Sequence, residues 1–319
     1  MLNIHELQVF LVAAETENFS EAGRRLNISQ PAVSMQIRSL ETALGVTLFH
    51  RSGRHIMLSE AGQALVPMAR ELVNRSIQIE EAMASLQGEV VGLLKLGCST
   101  AIGKYILPRL TARLLDRHPL VQVICQVTSR DLALAMLRDG EAHIAISSLR
   151  EHHKDIEYRP FLADRIVLIA RPDHPWAGQG VISPHDLLDA VFILREESSG
   201  TLQAFQDALT WHDLSIDHLK VAMVLGNSDA IRMAVQEGIG VAVVSQMVAA
   251  EGIQAGALVS IKIQGMDIHQ TLYLARHTGR PATKAQTAFW DFAFAAENAD
   301  LREIPGQAVA SGWFQPNRG

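Results

Sequence analysis

Three groups of polar side chains stand out by type and spacing. The stretch SQPAVSMQIRSLE, residues 29–41, runs at helical spacing with Ala32, Val33, Ile37 and Leu40 along one face, which leaves Gln30, Ser34, Gln36 and Arg38 on the remaining surface. Amides, hydroxyls and a guanidinium are the groups that read base edges in the DNA major groove, where each base pair offers its own pattern of donors and acceptors. Arg51 and Arg54 flank Ser52 and Gly53 between two short apolar segments, a placement that suits phosphates or the minor groove. The third group is small hydroxyl and amide residues that follow β-rich runs or precede helical ones: Ser99 and Thr100, Ser129, Ser198, Ser199 and Thr201, Asn227 and Ser228. Where a strand's carboxyl end meets a helix amino terminus, free N–H groups and the helix dipole favour a small anion, and these side chains add donors for carboxylate, phosphate or sulfate oxygens. Each is equally a common helix cap, which is the plain alternative.

Catalysis and metal binding find weaker footing. Cys98-Ser99-Thr100 offers a nucleophile position, yet no base can be assigned to it. His118 begins an HP turn, and His152 and His153 adjoin Glu151, Lys154 and Asp155 in a loop pattern with no third ligand to name. The expectation is no enzyme, no metal and no cofactor. Cys98 and Cys125 both stand in apolar surroundings and read as buried thiols, too few for a disulfide framework.

The elements that must position these residues follow from periodicity. Ile4, Leu7, Phe10, Leu11 and Ala14 recur at three and four, giving a helix over residues 4–17 that Asn18 and Phe19 end. Ser20 is placed to cap a short second helix, Asn27 to take a left-handed turn, and Ser29 to cap a third helix whose first turn holds Pro31. Two short helices joined by about four residues have the layout of a helix-turn-helix, whose second helix enters the major groove. After Gly45, apolar segments at residues 48–49 and 56–58 around Ser52 and Gly53 read as a two-stranded wing. A long helix opens at Ser59 and runs to about residue 87. Its apolar seam, Leu65, Met68, Leu72, Ile79 and Leu86, steps by three, four and seven with Arg75 and Ala82 as gaps. A narrow seam at that spacing calls for a second helix, most simply its own copy, while Pro67 must bend or loosen the first turns.

Beyond Gly88 and Gly92 the chain alternates. Strands are predicted at residues 93–97, 121–127, 143–147, 166–170, 191–194, 221–225 and 241–244, and helices at 106–117, 132–139, 202–212 and 230–237. That alternation predicts parallel sheets of the doubly wound kind in two lobes.

Bulk properties set the limits. The 319 residues suit two or three domains, and 48% apolar with 19% charged residues describes a globular chain. No apolar run approaches the ~18 residues that span a bilayer, and the first ten, MLNIHELQVF, lack a basic start ahead of a long apolar core, so a cytoplasmic location is expected. The net charge of −6 excludes a surface that binds polyanions everywhere. Residues 1–66 hold five Arg and no Lys against six Glu, so any DNA contact must rest on local charge, and a plain three-helix bundle is the competing reading.

Several motifs together bring a resemblance: Ala22 and Leu26, SQPAVSMQIRSLE, the Leu, Gly, Phe and Arg pattern from Leu44 to Arg54, and Leu58 to Gly62. They are similar to the amino-terminal winged helix-turn-helix of the LysR-type transcriptional regulators. The likeness continues through GCSTAIGKYILPRL, LRDGEAHIAI, DHPWA, REESSGT and AIRMAVQEGIGVAVVS, nearly the whole chain. It implies an α/β fold with an N-terminal all-α winged helix-turn-helix, a long linker helix, and two doubly wound α/β lobes of the periplasmic-binding-protein type. The implied divisions are residues 1–58 for DNA binding and 59–88 for the linker helix. An effector-binding part follows at 89–300, with lobe I about 89–162 and 267–300 and lobe II about 163–266, and then a tail over 301–319. The resemblance implies a sequence-specific regulator that binds promoter DNA as a homodimer or dimer of dimers, responds to a small metabolite, and has RNA polymerase as a further partner. On it, Ser20, Gln30, Pro31, Ser34, Gln36, Arg38, Arg51 and Arg54 fall at DNA-binding positions, and Ser99, Thr100, Ser129, Ser198, Thr201, Asn227 and Ser228 at effector positions. Met35 departs from it, standing where many relatives carry Arg, which shifts that contact to Arg38 and the wing. An α/β enzyme, or a solute-binding module without DNA function, is the alternative.

Overall fold

The structure is a computed structural model that describes residues 2–52, 55–84 and 89–302. The chain divides into two compact units, Met1–Val91 and Gly92–Gly319.

In the first unit each helix begins at a side-chain cap and the first three end in left-handed backbone. Asn3 Oδ1 accepts the His5 N–H at 2.9 Å and starts α1 (Ile4–Thr16), which Glu17 closes at φ 48°. The following Asn18, not Ser20, caps α2 (Phe19–Leu26): its Oδ1 accepts the N–H groups of Ser20 and Glu21 at 2.9 and 3.1 Å. Phe19 already has helical backbone, so the capping position falls before it and Ser20 is an exposed first-turn residue. Asn27 makes the expected left-handed turn at φ 55°. A Cβ on Gly23 would lie 2.8 Å from the Ile28 carbonyl oxygen, so glycine is what lets this turn close over α2. Ser29 Oγ accepts the Ala32 N–H at 3.3 Å and starts α3 (Gln30–Leu44), with Pro31 in its first turn and Gly45 ending it at φ 70°.

Val33, Ile37 and Leu40 of α3 are buried with Leu7, Phe10 and Leu11 of α1, each burial worth about 1.5–3 kcal/mol before entropy is charged against it. Ala32 is only half-buried, because at about 100° per residue it lies off the centre of that face. The wing forms as predicted, β1 (Phe49–Ser52) antiparallel to β2 (His55–Leu58) with Phe49 opposite Leu58. The Phe49 ring meets Phe10 and Phe19 at 5.6 and 5.4 Å, and Glu41 of α3 accepts the Leu48 N–H at 2.8 Å, so helix and wing are tied at both ends.

Ser59 is the cap that opens α4 (Glu60–Ala84). Its Oγ accepts the Gly62 N–H at 3.0 Å and donates to the Thr47 carbonyl at 2.6 Å. The helix runs through Pro67, giving up the one backbone hydrogen bond that proline cannot donate. Ala69 and Val73 are buried against the first unit's core and Leu65 is partly so, while Met68, Leu72, Ile79 and Met83 are exposed. Leu86 lies outside the described residues.

The second unit opens with β3 (Gly92–Cys98), α5 (Thr100–Tyr105), α6 (Leu107–Arg117), β4 (Val121–Val127), α7 (Arg130–Asp139) and β5 (Ile144–Ser147). β3 is parallel to β4 on one side and to β5 on the other, a small α/β lobe. The chain then crosses on β6 (Ile156–Ala170) and adds β7 (Val181–Ile182), β8 (Val191–Arg195), α8 (Gly200–Thr210), β9 (Lys220–Leu225) and α9 (Ser228–Gln236). β10 (Ala242–Ser245), α10 (Gln246–Gln254) and β11 (Val259–Ile263) complete this part. β12 (Ile268–His277) then returns to the start, followed by α11 (Lys284–Ala293) and α12 (Ala299–Arg302).

The α/β class is as expected, but the sheet is mixed rather than purely parallel. β6 and β12 run antiparallel along each other from Ile166 opposite Ile268 to Ile156 opposite His277, with a bulge at Leu272/Tyr273. Two long strands shared by both lobes must enter and return in opposite directions, which sets this pairing. β8 and β9 form the parallel pair of the second lobe, joined to β10 through a bridge from Phe192 to Val241. Both faces there are covered. Leu168, Phe192, Phe205 and Val243 lie in one core with α8, and Ile169, Ile193, Ile231, Val244 and Val248 in another with α9 and α10.

Candidate functional site

On α3 the predicted groove residues do not stand alike. Gln30 Nε2 donates to Ser34 Oγ at 2.8 Å, leaving the Gln30 amide oxygen and one N–H, with the Ser34 hydroxyl proton, to meet another molecule. Arg38 is exposed and forms no ion pair among the described residues. Arg24 and Arg25 of α2, by contrast, both pair with Glu21 of the same helix, and Arg25 also with Glu15 of α1. Among the described arginine side chains of α1 to α3, Arg38 is thus the one without an ion pair. Gln36 is half-buried with its Oε1 enclosed and without a hydrogen bond, so it stands away from the outer surface that the sequence assigned to it. Arg51 lies on β1 opposite Ile56, but its side chain, and the whole of Arg54, lie outside the described residues.

In the second unit the predicted anion-binding residues gather at the carboxyl ends of parallel strands. Ser99 and Thr100 follow β3 and Ser129 follows β4; Ser148, which was not among those predicted, follows β5 of the same sheet. Ser198, Ser199 and Thr201 follow β8, and Asn227 and Ser228 follow β9, the parallel pair of the other lobe. Hydrogen bonds join the two sets: Lys104 Nζ and Tyr105 Oη of α5 both donate to Asp229 Oδ1 of α9, at 2.6 and 2.8 Å. Burial works to raise the Asp229 carboxyl, and these two donors with the charges of Lys104 and Arg232 hold it below its usual value. A Cβ on Gly200 would overlap Ser148 Oγ and Gln270 Oε1, so glycine there lets the start of α8 approach the first lobe.

Capping sorts these side chains into two kinds. Ser129 Oγ accepts the Leu132 N–H at 3.3 Å, Ser199 Oγ the Leu202 N–H at 3.4 Å, and Asn227 Oδ1 the Asp229 and Ala230 N–H groups at 2.8 and 3.1 Å. Ser228 Oγ accepts from Arg195, whose Nε and Nη2 both reach the Glu196 carboxylate at 2.7 Å. Ser99 stands at a cap position without making the cap bond, and its hydroxyl, with those of Thr100, Ser198 and Thr201, has no hydrogen bond among the described residues.

Two features escaped the sequence. Cys98 and Cys125 lie 3.5 Å apart, sulfur to sulfur, and Cys125 is exposed rather than buried because β4 is the edge strand of its sheet. Their contact raises the Cys98 thiol, helped by burial, and lowers Cys125 against burial. Asp164 of β6 is fully buried, with Ser245 Oγ and Gln270 Nε2 donating to its two oxygens at 2.6 and 2.8 Å. Burial pushes its carboxyl up to about 6 against those hydrogen bonds. A lone Asp inside an apolar run, FLADRIVLIA, is the signal that could have marked it. Among the described residues no group of three or more His, Cys, Asp or Glu could hold a metal ion, and no helix is long and apolar enough to cross a membrane.

A capped helix-turn-helix with a wing, followed by a ligand-binding α/β module of two lobes, defines a DNA-binding regulator with an effector domain. Residues 4–63 match the bacterial regulatory helix-turn-helix protein, lysR family, and residues 87–297 match the LysR substrate binding domain. The chain belongs to the LysR family of transcriptional regulators. It is 31% identical over 291 residues to a RuBisCO operon transcriptional regulator of Allochromatium vinosum, covering 91% of this chain and 95% of that one. Among solved structures it resembles a full-length OxyR variant from Pseudomonas aeruginosa at TM-score 0.71 and 21% identity, covering 97% of this chain and 99% of that one. It also resembles the regulatory domain of Synechocystis PCC6803 CcmR in complex with 2-PG, at TM-score 0.59 and 30% identity, covering 67% of this chain and 99% of that one.

Proposed function

We propose that this regulator reads paired promoter half-sites with α3 and the wing, as a homodimer joined through α4, and that a small anionic metabolite bound at the strand carboxyl ends of the second unit sets its activity. Gln30, Pro31, Ser34 and Arg38 face the groove, Ser20 approaches the backbone, and Arg51 and Arg54 supply wing contacts to phosphate. Gln36 holds the helix rather than the bases. Ser99, Thr100, Ser198 and Thr201 bind the metabolite directly, while Ser129, Asn227 and Ser228 orient the helix ends around it. The division of the chain is DNA binding over residues 1–58, linker over 59–88, and effector binding over 89–300. Residues 301–319, of which 303–319 lie outside the described residues, take no part. The protein acts in the cytoplasm, without catalysis or a cofactor.

The single observation that carries the effector reading is the set of uncommitted hydroxyls at Ser99, Thr100, Ser198 and Thr201, placed after the carboxyl ends of the parallel-paired strands β3 and β8. The complex of the CcmR regulatory domain with 2-PG supports a small ligand in the same domain of a relative. The metabolite must bind one arrangement of the dimer more tightly than the other, since equal affinity would shift nothing.

The test is a gel shift of the promoter fragment beside the protein's own coding region, with purified chain and a panel of small anions that includes 2-PG. Wild type should bind the fragment, and one anion should change the binding. Ser99→Ala with Thr100→Ala should weaken that response about tenfold or more and leave binding without anion unchanged. Equal loss of both activities would refute the assignment.

A further inference from the structure

Groove contact by α3 depends on which residues form its outermost ridge. At about 100° per residue, Val33, Ile37 and Leu40 define the buried side, and the direction opposite to them is occupied by Pro31, Met35, Arg38 and Thr42, all within about 60° of one another. Ser34 flanks this ridge with the exposed Gln30 hydrogen-bonded to it, and Gln36 is half-buried toward the core. Pro31 has no donor to offer, and Thr42 spends its hydroxyl on the Arg38 carbonyl at 2.7 Å. Arg38 and Met35 are left to read.

Met35 is 66% exposed, more than any other large apolar residue of the described structure except Trp211. A single exposed apolar side chain needs no explanation by itself. This one lies on the ridge opposite the core, one turn from Arg38, on the face that meets the groove. The apolar feature of a base edge in the major groove is the C5-methyl of thymine. An unbranched thioether side chain with three rotatable bonds reaches such a methyl and adapts to its position.

We propose that Met35 is a specificity-determining residue that packs against a thymine methyl group in each half-site. The proposal rests on α3 being the groove-reading helix. Met35 sets preference for an A·T pair of one orientation at that position, and Arg38 and the Gln30–Ser34 pair act on its neighbours.

The experiment uses the full chain to enrich duplexes from a random library, then replaces each thymine of the enriched site in turn by uracil, which removes only the methyl. Wild type should lose about threefold to fivefold in affinity at one thymine per half-site, the size of one buried methyl. Met35→Ala should bind the thymine and uracil duplexes equally, Met35→Leu should keep the discrimination, and Gln30→Ala should keep it too. The proposal is overturned if no thymine in the wild-type site responds to uracil, or if Met35→Ala discriminates as wild type does. The wild-type series decides alone should Met35→Ala bind no duplex. Enrichment of no sequence at all would remove the groove-reading assignment itself, and this proposal with it.

Discussion

Burial changes the acid–base behaviour of Asp164 and His143 in opposite senses. Asp164 is raised from 3.8 to about 6 by burial, against the hydrogen bonds from Ser245 and Gln270. His143 is lowered from 6.5 to about 4 by burial, with the Lys95 charge adding to it, and its Nδ1 accepts the Lys95 N–H at 3.3 Å. An acid raised on folding holds its proton more tightly in the native chain, so its contribution is complete below pH 3.8 and is lost as pH rises through about 6. A base lowered on folding contributes above pH 6.5 and loses that contribution as pH falls through about 4. The two slopes oppose each other across the same window and flatten the wild-type profile. Asp164→Asn should uncover the histidine slope: relative to wild type, the variant should gain on the order of 2 kcal/mol between pH 4 and pH 7.5. Urea unfolding of both proteins across that range measures it, and a difference independent of pH would show that Asp164 does not titrate there.

At the scale of elements, α4 has one apolar side packed on the winged unit's core and a second left exposed. Ala69 and Val73 face the winged unit, while Met68, Leu72, Ile79 and Met83 lie exposed at steps of four, seven and four. That spacing keeps one stripe facing a second helix along its length. Leu72→Glu with Ile79→Glu should therefore weaken self-association at least about tenfold, about 1.4 kcal/mol, while far-ultraviolet dichroism stays unchanged because neither residue is in the core. Sedimentation of the full chain decides it, and an unaltered dimer would place association elsewhere. The cap and period signals made the presence and order of α1 to α4 legible. The sequence did not separate Asn18 from Ser20 as a cap, because both are cap residues and a shift of two positions decides between them.

For the whole molecule, the junction of α5 with α9 holds the two strand-end clusters together. Lys104 and Tyr105 converge on Asp229, and Ala101 and Tyr105 pack against the core that contains Ile169, Ile231 and Val248. Lys104 is half-exposed, so the charge contributes about 1 kcal/mol or less once solvent screening is included. Asp229→Asn should speed amide exchange in α5 and α9 by about threefold to tenfold and leave β3 and β5 unchanged. Uniform acceleration across the second unit would mean that Asp229 supports the fold rather than this junction. A ligand that binds at these strand ends shifts the second unit only if it favours one arrangement of it over another.

The sequence by itself determined the short-range features: the helix-turn-helix, the wing, the long helix, and the hydroxyl-rich ends of alternating strands. These depend on caps, turn residues and periods of two or 3.6, which are written within a few residues of each other. Tertiary structure decided the rest. The antiparallel pairing of β6 with β12 joins residues about a hundred positions apart, and nothing local in IHQTLYLARH announces its partner. Only packing showed that Met35 rather than Gln36 occupies the ridge of α3, since one residue of rotation separates the groove from the core. The same holds for the hydroxyls. Ser99 and Ser129 look equivalent in sequence and have nearly the same cap backbone, φ −72° and −68°, yet only the folded chain shows that Ser129 is spent on a backbone N–H and Ser99 is not, because the cap bond also depends on a side-chain orientation that the residue type does not fix.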